Sequence, residues 1–157
     1  MNLPNFLQEG HFAEIGSHAF TAPEIISFAC KYDTQYFHLD GEAARTSMFG
    51  GLCASGWHTT AMWMRKQRDY TAAILAGLEA KRLAGVEFGP SGGFRDLKWP
   101  HPVFAGDVIS YTNKTVSCRP SASRLGWHVV SGEMGGRNQH GQNVMQFVSI
   151  VLVRSPA

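Results

Sequence analysis

The sequence predicts an α+β fold in which one long, mostly buried helix is covered by an antiparallel sheet. Helix-like segments occupy the first half of the chain and strand-like segments the second half. Short turn sequences separate the strands, as is usual when neighbouring strands run antiparallel. The chain has 157 residues, of which 44% are hydrophobic and 17% charged. We therefore expect one domain over residues 1–157, with an N-terminal arm over residues 1–15.

The first half contains clear helix signals. Thr21 is a favourable N-cap residue, Pro23 suits a first turn, and Glu24 stands three residues after the cap. Asp40 is a second N-cap candidate, and the segment after residue 51 is rich in Ala, Met and Trp, which indicates a buried helix. The predicted elements are a short strand at 18–20, a helix from 22 to about 32, a loop at 33–39, a helix at 41–46, a turn at 49–51, a helix at 52–68 and a helical stretch at 71–83.

The second half alternates between strand-like runs and turn residues. The separators are rich in Gly, Pro, Ser and Asn, and Pro100 and Pro102 disfavour a central strand between them. The predicted strands are 86–89, 93–97, 108–117, 125–134 and 143–153.

Composition and charge exclude several classes of protein. The net charge of +2 is too small to indicate a nucleic-acid partner. No apolar run approaches the length that spans a bilayer, and the N-terminal residues do not resemble a secretory signal. Cys30, Cys53 and Cys118 are far apart and match neither a zinc site nor a disulfide framework. We expect free thiols in a reducing cytoplasm, no metal, and no membrane partner.

The candidate chemistry lies in two segments. Asp33 and His38 are five residues apart in a predicted loop, where an acid and an imidazole can together hold a water and move its proton. The glycines of the segment 49–58 precede or enter the buried helix, whose N-terminal N–H groups can stabilise an oxyanion. Taken alone, both patterns also fit structural roles: a solvated turn Asp, a structural His, and glycines that only turn the chain or permit close packing.

Three motifs in order resemble a known family. They are Asp-x-x-x-x-His-x-Asp from Asp33 to Asp40, a Gly-x-x-x-x-Gly turn from Gly51 to Gly56, and Pro-Val-Phe-Ala-Gly-Asp from Pro102 to Asp107. Over about residues 18–153 the chain resembles the MaoC-like hydratases of the hot-dog superfamily, which include (R)-specific enoyl-CoA hydratases.

The resemblance implies a fold, a reaction and a site. It implies a long central helix wrapped by an antiparallel sheet, usually as a homodimer. It carries the catalytic pair onto Asp33 and His38, and the oxyanion-binding amide onto Gly56. The implied reaction adds water to a 2-enoyl-CoA thioester, or dehydrates a 3-hydroxyacyl thioester. Coenzyme A belongs to the substrate, and no separate cofactor is expected.

The sequence departs from the family pattern beside this site. Gln35 and Tyr36 stand where the family often has Asn and Pro, and Ser55 stands where a His is common. With Trp57, we assign these residues to substrate binding. The departures keep two alternatives open: an acyl-CoA thioesterase, whose water attacks the carbonyl carbon, and a non-catalytic acyl-thioester-binding protein.

Other residues have a structural interpretation by default. The Trp and Met residues of the long helix are expected mostly in the core, with one or two shaping an acyl pocket. His58 is interpreted as structural. Basic side chains are expected in solvent, although some are candidates to receive the phosphates of coenzyme A. These candidates are Arg65, Lys66, Arg68, Lys81, Arg82, Arg95 and Lys98.

Overall fold

The computed structural model describes residues 4–81 and 85–154. In order, the elements are a short 3-10 helix at Asn5–Leu7, β1 at Phe12–Ala19, α1 at Ala22–Tyr32, α2 at Tyr36–Leu39, α3 at Gly41–Arg45, α4 at Gly56–Ala80, β2 at Glu87–Lys98, β3 at Val108–Pro120, β4 at His128–Arg137 and β5 at Asn143–Arg154. The strands form one antiparallel sheet in the order β1-β3-β4-β5-β2. This is the hot-dog arrangement of a sheet around a long helix, and it confirms the predicted α+β fold.

Local signals set the starts of α1 and α3 as predicted. The Thr21 side chain accepts a hydrogen bond from Glu24 N at the start of α1. The Asp40 carboxylate accepts from the amides of Glu42 and Ala43 at the start of α3. These bonds satisfy N–H groups that have no partner within the helix.

Several boundaries differ from the predicted ones, among them β4, which was expected at 125–134 and lies at His128–Arg137. β1 begins at Phe12, so residues 12–15 are not part of an arm. Residues 36–39 form a helical turn inside the expected loop. α4 is one helix from Gly56 to Ala80, where two helices were expected from residue 52, and residues 82 and 83 of the second lie outside the described ranges. β2 runs through the expected turn at 89–92, with irregular register at Ser91 and Gly93.

The main core lies between the sheet and the buried face of α4. Trp63 of α4 is 3% exposed and contacts the Phe147 ring edge-on at 4.7 Å between centroids. Tyr111 is fully buried on β3 and donates a hydrogen bond to Thr59 O on α4, 2.9 Å away. This packing holds the N-terminal half of α4 against the sheet. No helix in the described residues is long and apolar enough to span a membrane.

Candidate active site

Asp33 and His38 come together at the junction of α1 and α2. Asp33 caps the C-terminus of α1, and its N–H donates to Ala29 O. His38 lies on the single turn of α2 and is 6% exposed. Its Nε2 is 3.5 Å from Asp33 Oδ2. The structure therefore brings the two predicted residues into the same site, at a separation that allows one water to contact both atoms.

A backbone carbonyl orients the His38 ring. Nδ1 of His38 lies 2.6 Å from Cys53 O, and a carbonyl can only accept, so Nδ1 carries the proton. In the neutral ring this leaves Nε2 as an acceptor directed at the Asp33 side. His38 is thus prepared to accept a proton at Nε2.

The Asp33 carboxylate has its own hydrogen-bond donors. Burial alone would raise its pKa, but hydrogen bonds from Ser55 and Gln35 and the charge of His38 together lower the pKa below its usual value. Gln35 Nε2 donates to Asp33 Oδ1 at 2.9 Å. Asp33 is therefore an anion at neutral pH. Two of the three departures from the family pattern, Gln35 and Ser55, interact with the predicted acid.

Ser55 also starts the long helix. It is 1% exposed, is the N-cap residue of α4, and its side chain accepts from Trp57 N at 3.3 Å. One hydroxyl thus links the N-terminus of α4 to the carboxylate of Asp33. Sequence reasoning assigned Ser55 to substrate binding. In the structure its side chain is buried and interacts with Asp33.

Gly56 is the first residue of α4, and its N–H is one of those that α-helical geometry leaves without an intrahelical partner. A Cβ at this position would lie 2.3 Å from Cδ2 of Trp99, so only glycine fits under the indole ring. Trp99 Nε1 donates to Thr60 Oγ1 at 3.1 Å, which fixes the ring there. Sequence reasoning did not identify Trp99; no local signal in residues 97–102 points to it.

The Pro-Val-Phe-Ala-Gly-Asp turn holds the approach to α4. Val103 O accepts from Ala54 N at 2.8 Å, and Ala105 N donates to Leu52 O at 3.1 Å. Asp107 closes the turn by accepting from Phe104 N at 2.8 Å. The turn therefore positions the segment that carries the Cys53 carbonyl, Ser55 and Gly56.

Tyr36 and Trp57 stand at the surface. Tyr36 is 51% exposed and its ring contacts Phe37. Trp57 is 53% exposed and meets the Trp99 ring edge-on at 5.2 Å between centroids. Of the Trp and Met residues of the long helix, Trp63 lies in the core, whereas Trp57 and Met64, which is 51% exposed, do not.

Trp57 and Met64 line a groove between α4 and β2. This outer groove has a volume of about 270 Å³ and extends past Phe94 and Leu97. It adjoins an inner cavity of about 230 Å³ beneath α4, because Trp63, Met64, Ser91 and Ser149 line both spaces. The two spaces therefore lie side by side along α4, and the outer one begins at Trp57, the neighbour of Gly56.

Other residues considered for the site do not contribute to it in the described part of the chain. His58 is 1% exposed, stacks on Phe28 at 4.5 Å between centroids, and has its Nε2 3.6 Å from Glu24 Oε1. Arg65 pairs with Asp69 in solvent. Arg82 lies outside the described residues. Among residues 4–81 and 85–154, no three His, Cys, Asp or Glu side chains cluster in a way that could hold a metal ion.

Comparison with known proteins gives the family. The model of the MaoC-like domain family matches residues 11–129. The chain belongs to the MaoC-like domain family. A MaoC-like dehydratase from Rhodospirillum rubrum is 32% identical, with 96% of this chain and 95% of that chain covered and a TM-score of 0.75.

A more distant solved structure agrees on the fold, and one further relative is similar in sequence. An (R)-hydratase from A. caviae, described as involved in PHA biosynthesis, has a TM-score of 0.62 at 20% identity, with 98% of this chain and 100% of that chain covered. The uncharacterized protein YdeM of Bacillus subtilis (strain 168) is 27% identical over 107 residues, or 66% of this chain. That match spans 65% of YdeM, just under two thirds of its length.

Proposed function

We propose that this MaoC-like protein is a hydro-lyase that adds water to the β-carbon of a 2-enoyl-CoA thioester, and dehydrates the 3-hydroxyacyl thioester in reverse. The observation that carries the proposal is the pairing of Asp33 Oδ2 with His38 Nε2 at 3.5 Å beside the free helix start at Gly56. Family membership supports the same class of reaction.

In the proposed mechanism, Asp33 and His38 hold the attacking water. The water donates to the Asp33 carboxylate and to Nε2 of His38, both of which act as acceptors. As the water oxygen bonds to the β-carbon, one of the two groups takes the proton, and a proton is returned to the α-carbon. The product gains one C–O and one C–H bond in place of the C=C π bond and one O–H bond of the water, and the site regains its starting protonation state.

Gly56 stabilises the charge that develops on the thioester oxygen. Addition at the β-carbon moves electron density onto this oxygen, which accepts a hydrogen bond from Gly56 N–H at the N-terminus of α4. The 25-residue length of α4 gives this end its full partial positive charge. Gln35, Tyr36 and Trp57 surround the thioester, and Lys98, next to Trp99, is our candidate to contact a phosphate of coenzyme A. The reaction requires no cofactor beyond the coenzyme A of the substrate.

We further propose that two copies pair along β2. Within the described part of the chain, β2 is an edge strand of the sheet. Four apolar side chains beside it, those of Trp57, Met64, Phe94 and Trp99, are 39–56% exposed. A second copy would cover this apolar surface and the open strand edge. Light scattering should give twice the chain mass, and Phe94→Asp should shift it to the monomer mass.

An absorbance assay at the enoyl-thioester band tests the reaction. Crotonyl-CoA and branched or dicarboxylic enoyl-CoAs are supplied while free thiol is monitored in parallel. The proposal predicts loss of the band without thiol release. Thiol release would indicate a thioesterase, and binding without either change would indicate a non-catalytic thioester-binding protein.

A further inference from the structure

The inner cavity under α4 ends in polar side chains. Its apolar walls include Ile74, Phe88 and Val151, but His11, Gln67, Tyr70 and Asn113 line it as well. All four polar residues are half-buried. We call these four residues the distal polar cluster. Polar groups placed within a mostly apolar cavity are what fixes the orientation and identity of a ligand.

Some hydrogen-bond donors of the distal polar cluster have no acceptor among the bonds found between described residues. Asn113 Nδ2 donates to Gln67 Oε1 at 3.0 Å, and Gln67 Nε2 donates to Thr71 Oγ1 at 3.3 Å. Among bonds between described residues, these commit two of the four amide N–H groups of Gln67 and Asn113. Tyr70 OH lies 3.4 Å from His11 Nε2, and burial raises the pKa of Tyr70, so its hydroxyl remains a donor.

The charges around the cavity have one sign. Arg68 lines it, whereas no Asp or Glu is among its described lining residues. Uncommitted N–H groups and a guanidinium suit a ligand that accepts hydrogen bonds, above all an anionic oxygen group.

The distance from Gly56 sets the length of such a ligand. Gln67 is eleven residues along α4 from Gly56, or about 16 Å at 1.5 Å per residue. An extended zigzag of carbon–carbon bonds of about 1.5 Å needs about a dozen carbons to cover that distance. The outer groove and the inner cavity adjoin between these two points and share four lining residues.

We propose that the protein prefers long acyl thioesters whose far end carries an oxygen group, a carboxylate or a hydroxyl, bound by Gln67, Asn113 and Arg68. This inference rests on the proposed function in one respect: it takes the thioester end of the ligand to lie at Gly56. It assigns a specificity that neither Asp33 nor His38 determines.

Binding measurements test the specificity without requiring turnover. Three saturated twelve-carbon acyl-CoAs, with an unsubstituted, an ω-hydroxyl or an ω-carboxylate end, are titrated while tryptophan fluorescence is followed. The inference predicts at least about tenfold tighter binding of one oxygen-bearing ligand than of the unsubstituted one, as for a hydrogen bond to a charged group. Equal or tighter binding of the unsubstituted ligand would overturn it.

Variants locate the preference. Gln67→Met and Arg68→Met should each reduce the ratio between oxygen-bearing and unsubstituted ligands by severalfold. Arg65→Met is the matched control, because Arg65 is an exposed arginine of the same helix that pairs with Asp69 and does not line the cavity. An unchanged ratio in both cavity variants would contradict the inference.

The two proposals fail in distinguishable ways. Tight binding of an ω-oxygenated ligand without hydration of any enoyl-CoA would leave the specificity in place and reject the hydro-lyase. Hydration of crotonyl-CoA with no preference among the long ligands would do the reverse.

Discussion

Replacing Ser55 with alanine removes two interactions through one small change. The Ser55 hydroxyl accepts from Trp57 N as the N-cap of α4, and its interaction with the Asp33 carboxylate lowers the pKa of that group. Loss of an N-cap side chain costs typically about 1 kcal/mol. Loss of a hydrogen bond to a charged group costs about 1.5–3 kcal/mol. Because Ser55 is 1% exposed, water cannot readily replace it, and we expect a total loss of roughly 2–4 kcal/mol at pH 7.

The pH dependence separates the two contributions. A carboxyl whose pKa is lowered in the folded state stabilises the fold above its unfolded pKa of about 3.9, and this stabilisation is lost as the pH falls through the folded pKa. The difference between wild type and Ser55→Ala should therefore shrink in acid toward the cap contribution alone. Urea unfolding followed by tryptophan fluorescence at a series of pH values measures this difference.

Ser55→Gly is the matched control. Glycine replaces a serine cap at a cost of only a few tenths of a kcal/mol, so this variant reports mainly the bond to Asp33. In both variants the acid limb of the pH profile of kcat/KM should move to higher pH, because the pKa of Asp33 rises. A loss of stability that stays constant down to the acid range would refute the assignment of the hydroxyl to Asp33.

Three further predictions concern the core and its titratable groups. Tyr111→Phe removes a second hydrogen bond to a buried helical carbonyl of α4 and should cost about 0.5–1.5 kcal/mol in urea unfolding; an unchanged midpoint would contradict the bond. Cys30 is exposed, whereas burial raises the pKa of the Cys53 thiol to about 11, so a thiol reagent at pH 8 should label Cys30 rapidly and Cys53 only after unfolding. Burial lowers the pKa of His58 while the charge of Glu24 opposes this, so Glu24→Gln should lower the pKa of His58 further in an NMR titration; a rise would show that Glu24 is not its partner.

Local chemistry was enough to predict α1 and α3. Their starts depend on side chains two or three residues away, Thr21 with Glu24 and Asp40 with Glu42, and these contacts form whatever the rest of the fold does. α4 was divided at residues 69–70 because polar residues interrupt its apolar pattern, but packing of the helix against the sheet carries it through to Ala80. β2 was divided for a similar reason: Pro90 is tolerated in it because the strand lies at the sheet edge with irregular register.

The candidate site was only partly readable from the sequence. The resemblance pointed to Asp33 and His38, and the structure places them 3.5 Å apart. The carbonyl of Cys53 that orients His38 belongs to the backbone. Every residue has such a carbonyl, so the sequence does not indicate which one is used. Trp99 packs over Gly56 although the two residues are 43 positions apart in the chain. Such a contact depends on the register of β2 in the sheet, which the secondary-structure propensities of single residues do not specify.

The most direct test of the proposed site is the turnover of Asp33→Asn and His38→Ala with the enoyl-CoA that the wild type hydrates fastest. Asn retains the shape of Asp33 but cannot take a proton, and Ala removes the Nε2 acceptor. Circular dichroism and the binding of a saturated acyl-CoA serve as controls for folding and for the thioester site. We predict that each variant binds the thioester and loses at least about a hundredfold in turnover. Near-normal hydration by both variants would contradict the assignment of Asp33 and His38.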